Sequence, residues 1–232
     1  SDFKFVTKTP SLRGQKIAAD QVLFVEDTFE KSLAWLQRQS IYGILVHHVD
    51  DLLDEDGQKL FSLMTNLKKA GKVQKVGTSA YTVSQIEAVI ERFDIDIVQV
   101  PLNVLDQRFA DTGTLSKLKA EGVEIHVRSA FLQGLLLMPE EDIPEYFEPI
   151  KDVLKRYHSW CKKLDLTPLE AALAYVHQQT DVDQIVVGVC DCQQLLEITK
   201  GFEKAANLDH LDFSSFALID DTFINPAKWP KT

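Results

Sequence analysis

Gly43-Ile44-Leu45-Val46-His47-His48 decides the fold: an apolar run of strand length that ends in two hydrogen-bonding side chains. Upstream, Phe3-Lys-Phe-Val-Thr-Lys-Thr9 has the same form and ends on a lysine and a threonine. Between them Phe29, Leu33 and Leu36 share a helical face, so the pair reads as strand, helix, strand. A crossover of that length makes the two strands parallel and brings their C-terminal ends to one rim.

The alternation continues along the chain. After strand Ile41–His47 come a helix with Leu60, Leu63, Met64 and Leu67 on one stripe, a stop at Gly71, and strand Val73–Ser79. Thr82 and Gln85 form a capping-box pattern ahead of Ile86, Val89, Ile90 and Phe93, and strand Ile95–Val100 follows. A short helix through Leu115 and Leu118 ends at Gly122 before strand Val123–Ser129. Helices are predicted from Pro144 to about Leu164 and from Thr167, with Pro168 at the first helical position, to about Gln178. Strand Gln184–Val187 and a helix from about Gln193 to Lys200 complete the pattern.

Six strand-then-helix units imply a parallel α/β sheet, doubly wound or closed as a barrel, and periodicity does not choose between them. The strand faces do. Gly43/Leu45/His47, Lys75/Gly77/Ser79, Ile97/Gln99/Pro101 and Glu124/His126/Arg128 set polar groups on single faces. Helices on both sides of an open sheet would bury those groups, whereas a barrel interior has a mouth and a bottom where they are satisfied. The expectation is a TIM barrel formed as one domain, residues 1–232, since no Pro/Ser-rich linker, repeat or low-complexity tract interrupts the series. Glu124, Lys4 and Lys75 then fall toward the strand starts as a barrel-bottom ion cluster, with His126 interior and hydrogen-bonded. Trp35, Trp160 and Trp229 read as packing residues.

The 232 residues are 45% hydrophobic, enough for a full core, and the formal net charge of −10 excludes nucleic acid and anionic membrane as main partners. No apolar stretch reaches the roughly 20 residues of a membrane span, and the first residues do not form a signal peptide, so the expected compartment is the cytoplasm. Cys161, Cys190 and Cys192 lack a disulfide framework. Cys190 and Cys192 have no second pair at zinc spacing, and adjacent His47 and His48 leave a strand on opposite faces and cannot share one ion; no metal is expected.

Several segments resemble the aldo-keto reductases, and the resemblance covers nearly the whole chain. Val6-Thr-Lys-Thr9 resembles the strand presenting that family's catalytic lysine, and Ile44-Leu-Val-His47 the strand presenting its histidine. Gly71-Lys-Val-Gln-Lys-Val-Gly-Thr-Ser79 is similar to the segment "GKIRAIGVSN", and Val98-Gln99-Val100 with Asn103 to "NQVEYN". Val127-Arg-Ser-Ala-Phe-Leu-Gln-Gly134 is similar to the "YSPLGxG" loop. The resemblance implies a (β/α)8 barrel that moves a hydride between NAD(P)H and an aldehyde or ketone, a small-molecule carbonyl substrate. It implies Lys8 and His47 as catalytic residues, Lys8 tuning a tyrosine acid and His47 hydrogen-bonding the carbonyl. For the cofactor, NADP or NAD, it implies Ser79, Gln99, Arg128, Ser129, Gly188, Gln194 and Glu197.

Two departures shape the expectation. The stretch Val187-Gly-Val-Cys-Asp-Cys-Gln-Gln-Leu195 offers Asp191 and no lysine or arginine where the family holds the 2′-phosphate of NADP, which weakens NADP preference. The family's aspartate and tyrosine acid belong upstream of the lysine strand, and neither Tyr42 nor Tyr81 matches the tyrosine motif. Two further β/α units of roughly 30 residues each would bring six to eight, so the first two units are expected to be absent from this chain. The alternative to a reductase is a non-catalytic relative that keeps the fold as a binding or regulatory module. The oligomeric state is not written in the sequence.

Overall fold

The computed structural model describes residues 3–12 and 16–230; Gly14, in the loop predicted after the first strand, lies outside the described residues. Among the described residues six strands appear in chain order: β1 (Val6–Lys8), β2 (Ile41–Val46), β3 (Val73–Ser79), β4 (Ile97–Pro101), β5 (Glu124–Arg128) and β6 (Gln184–Ile185). They hydrogen-bond in the order β1-β2-β3-β4-β5-β6, and the pairs β1/β2, β2/β3 and β3/β4 are parallel. A doubly wound sheet reverses its strand order at a switch point; no reversal occurs here. The helices are α1 (Ala19–Trp35), α2 (Asp50–Leu53), α3 (Gly57–Lys69), α4 (Val83–Ile90), α5 (Arg108–Asp111), α6 (Thr114–Ala120), α7 (Lys151–Lys163), α8 (Pro168–His177), α9 (Cys192–Ala205) and α10 (Asp221–Ile224). None of them is long and apolar enough to cross a membrane. The chain divides into two compact units, residues 1–100 with 117–126 and residues 101–116 with 127–232.

In the first unit the predicted periodicities become packed faces. Leu60, Leu63, Met64 and Leu67 of α3 are buried, and the helix gives way to Gly71 at φ +72°, a left-handed turn that glycine adopts without a Cβ clash. Thr82 caps α4 by accepting from the Gln85 backbone N–H, while the Gln85 side chain accepts from the Thr82 N–H. On α1 the buried residues are Val25, Phe29 and Leu33. Trp35, read from sequence as a packing residue, is instead 83% exposed, on the side of the helix away from that face.

Gly77 sets how closely β3 and β4 approach. A Cβ there would lie 1.7 Å from the Ile97 carbonyl oxygen, a collision with backbone that no rotamer relieves. Gly77→Ala is therefore expected to cost roughly 3 kcal/mol or more in urea unfolding, at or beyond the upper end for overpacking. A loss under about 1 kcal/mol would mean that the two strands can separate without penalty.

At the strand starts of the same unit a carboxylate gathers three donors. Glu124 accepts from Lys75 Nζ at 2.5 Å and from the Tyr42 hydroxyl at 2.5 Å, and its other oxygen lies 2.7 Å from His126 Nε2. Lys4, expected in the ion cluster itself, sits with its Nζ 4.5 Å above the Tyr42 ring. Burial alone would raise the Glu124 pKa, but hydrogen bonds from Lys75, Tyr42 and His126 outweigh it and hold the carboxyl at about 2 against an ordinary 4.5. A depressed carboxyl stabilises the fold above its unfolded pKa and loses that contribution as pH falls toward 2. Glu124→Gln should thus lower stability at neutral pH by on the order of 2 kcal/mol, after discounting for solvent screening. It should also flatten the decline in stability between pH 4.5 and 2; equal slopes in acid titrations of both proteins would contradict this.

The second unit buries Tyr157, Phe213 and Phe216, with Trp160 packed edgewise on both phenylalanines. Trp229 packs edgewise on Phe147 and donates from Nε1 to the Phe223 carbonyl, tying down the chain end as expected of a packing residue. Thr167 and Glu170 form a reciprocal cap and Pro168 opens α8. The helix predicted from Pro144 starts only at Lys151, because Pro149 lacks an N–H and leaves residues 145–150 as a 3₁₀ turn. Asp106 is wholly buried, and Arg108 grips it with two bonds, Nε to Oδ1 at 2.7 Å and Nη2 to Oδ2 at 2.9 Å. Arg108 also donates from Nη1 to Asp221 of α10 at 3.0 Å.

Candidate active site

The first unit presents four of the sequence-derived residues at the C-terminal ends of its strands. Lys8 is the last residue of β1 and exposed; His47 follows the last residue of β2 and is exposed; Ser79 ends β3 and is buried; Gln99 lies near the end of β4 and is buried. Parallel pairing makes this one rim. Lys8 pairs with Leu45, Leu45 with Gly77, and Ser79 with Gln99, so His47 and Ser79 stand equally far beyond a paired position.

Thr9 pins the two exposed residues. It is 3% exposed, donates its N–H to the Leu45 carbonyl at 2.9 Å, and accepts the His47 N–H on Oγ1 at 3.2 Å. One small side chain thus links the residue after Lys8 to the backbone of His47. The sequence motif contained Thr9, yet its clamp depends on the register of two strands and has no local signal.

The histidines depart from expectation. Strand alternation predicted opposite faces for His47 and His48, but their rings stack with centroids 4.4 Å apart and planes 18° from parallel. The ladder ends at Val46 and both residues lie in the following bend, where alternation no longer governs direction.

Ser79 and Gln99 are the polar pair best suited to a ligand. They are Cα partners, 4% and 5% exposed, and their side chains stand side by side on one face. The Ala80 N–H donates to the Gln99 carbonyl at 3.1 Å, fixing the strand end around them. Among the described residues neither the Ser79 hydroxyl nor the Gln99 amide has a hydrogen-bond partner. Neither group is among the fully enclosed polar atoms that lack a partner, so in these nearly buried residues the polar atoms keep an opening to the rim, suited to a ligand that offers both a donor and an acceptor, as a primary carboxamide does.

The other five residues belong to the second unit. Arg128 ends β5 and donates from Nη1 to Ser129 Oγ at 3.3 Å, and Asn103 holds the Ser129 carbonyl at 3.1 Å. Ser129, Leu132 and Gln133 all have φ between +46° and +60°, so this loop stores backbone strain of the kind that accumulates at functional sites. Gly188, Gln194 and Glu197 are exposed around the start of α9. There the Asp191 carboxylate accepts the Gln194 N–H at 2.8 Å, the Gln194 side chain accepts the Cys190 N–H at 2.9 Å, and Glu197 accepts from Gln193. The helix start is therefore already capped by an anion, which repels a second one.

An ordered parallel sheet that collects its polar groups at the strand C-terminal ends defines an α/β enzyme fold of the type that binds ligands at that rim. The chain belongs to the aldo/keto reductase family, whose family model matches residues 5–221, and members of that family are generally NAD(P)H-dependent oxidoreductases. It is 23% identical over 150 residues to the NADH-specific methylglyoxal reductase of Escherichia coli K12, a match covering 59% of this chain and 46% of that protein. The match thus spans about half the length of that relative. In structure it resembles the aldo-keto reductase AKR11C1 from Bacillus halodurans. The holo form gives a TM-score of 0.70 at 19% identity, covering 93% of this chain and 71% of that one. The apo form gives 0.67 at 19%, covering 91% and 78%. The likeness at that identity is one of fold.

Proposed function

We propose that this chain carries the reductive site of an NADH-preferring carbonyl reductase acting on a small aldehyde or ketone. The observation that carries the proposal is the nearly buried pair Ser79 and Gln99, whose side chains make no hydrogen bond among the described residues, on the same strand rim as Lys8 and His47. In this reading Ser79 and Gln99 hold the nicotinamide carboxamide and fix which ring face meets the substrate. A bound reduced nicotinamide supplies the hydride. His47 donates a hydrogen bond to the substrate oxygen and Lys8 supplies positive charge beside it, each worth roughly 3 kcal/mol once water is excluded. In the second unit Arg128 and Ser129 are assigned to the cofactor, the strained loop after β5 supporting that role. Asp191 at the start of α9, flanked by Gly188, Gln194 and Glu197 and by no cation, supports discrimination against a 2′-phosphate. The NADH specificity in the name of the Escherichia coli relative points the same way.

One observation favours a second reading, a module that binds cofactor without turnover. Tyr42 is bonded to Glu124 at the opposite strand ends, Tyr146 to the Thr222 carbonyl and Tyr157 to the Pro168 carbonyl, while Tyr175 is buried and its pKa raised by burial. Turnover then requires an acid other than these four; the fifth tyrosine, Tyr81, follows the end of β3 by two residues and does not match the family's tyrosine motif. Mixing the protein with methylglyoxal or another small aldehyde and either cofactor separates the readings. Consumption of NADH well above that of NADPH supports the reductase, saturable NADH binding without consumption supports the module, and absence of binding rejects both.

A further inference from the structure

We propose that the outer face of α1 is a self-complementary surface through which two copies of this chain associate. Asp20, Leu23, Phe24, Asp27, Lys31, Ala34 and Trp35 are all exposed. At 100° per residue they fall within an arc of about 120°, opposite the buried Val25, Phe29 and Leu33. Leu23 is 59% exposed, Phe24 51% and Trp35 83%. Leu23 and Phe24 thus form an apolar group at one end of this helix face and Trp35 another at the opposite end. Asp27 and Lys31 lie between them, and among the described residues neither makes an ion pair.

The order of these residues selects the partner. A two-fold axis crossing α1 at the level of Phe29 sets a second α1 antiparallel to the first, and such an interface uses one patch twice. Leu23 then faces Trp35 of the second copy, Phe24 faces Ala34, and Asp27 faces Lys31, each contact occurring twice. Bulky residues meet at the ends and opposite charges meet near the axis. A parallel arrangement would set Asp27 against Asp27 and Lys31 against Lys31. The 17-residue helix is roughly 25 Å long, and one such face against its copy buries less than the roughly 1,200 Å² of a standard interface. The association is accordingly weak and concentration-dependent, and it does not depend on the reductase reading.

Sedimentation equilibrium of the chain from low to high micromolar concentration tests the proposal, with thermal unfolding of each variant as a control for folding. The expected result is a monomer–dimer equilibrium weakened at least about tenfold by Trp35→Glu, by Asp27→Lys and by Lys31→Asp, with the combined Asp27→Lys/Lys31→Asp protein restored. A monomer at every concentration overturns it. So does an association indifferent to the charge reversals, which would locate the contact on another apolar surface, such as Leu195 and Leu196 of the second unit.

Discussion

Arg108→Ala is expected to destabilise the protein by about 3–5 kcal/mol, the cost of stranding a buried charge. Asp106 has no exposure, and both of its oxygens are held by the Arg108 guanidinium. Burial pushes its carboxyl above the ordinary range, and Arg108 is the group that opposes this. Removing the guanidinium leaves the carboxyl to protonate or to draw in water, and it also breaks the tie to Asp221 of α10, which keeps Lys228 and Asn225 as partners. The replacement of both partners by residues of similar volume, Asp106→Leu with Arg108→Met, should recover much of the loss because no charge is then stranded. Urea unfolding of the three proteins decides the matter. A single substitution costing under about 1 kcal/mol would mean that the pair is not desolvated.

The second large effect concerns the rim. On the reductase reading, His47→Ala and Lys8→Met should each lower turnover by a hundredfold or more. Cofactor binding should change little, since neither residue is assigned to the nicotinamide. Both side chains are exposed, Lys8 at the last paired position of β1 and His47 just beyond β2, so the expected loss of stability is small. A fall in turnover matched by an equal fall in thermal stability would reassign the pair to structure, and an unchanged trace rate would favour the non-catalytic module.

What the sequence disclosed was mostly local. The Thr82/Gln85 and Thr167/Pro168 helix starts, the stripe from Leu60 to Leu67 and the stop at Gly71 each depend on residues a few positions apart. Glu124 and His126 were readable as neighbours because they share a strand face two residues apart. What stayed hidden depends on distance or on where a ladder stops. The Arg108 to Asp221 contact joins residues 113 positions apart and carries no periodic signal. The strand extended to His47 by apolar content ends at Val46, which turned two predicted opposite faces into a stacked pair. Pro149 broke a helix that its flanking residues favoured. For Trp35, size suggested burial, yet its place on α1 lies opposite the apolar stripe from Val25 to Leu33. The candidate site was legible through family resemblance, whereas Thr9, which aligns Lys8 with His47, emerged only from the register of β1 on β2.

The central claim is that Ser79 and Gln99 hold a nicotinamide, and titration of NADH against the protein and its Ser79→Ala/Gln99→Leu variant tests it most directly. Two hydrogen bonds at roughly 1 kcal/mol each predict binding about thirtyfold weaker in the variant, with its unfolding transition retained. Equal affinity in both proteins, or no saturable NADH binding by either, would contradict the claim.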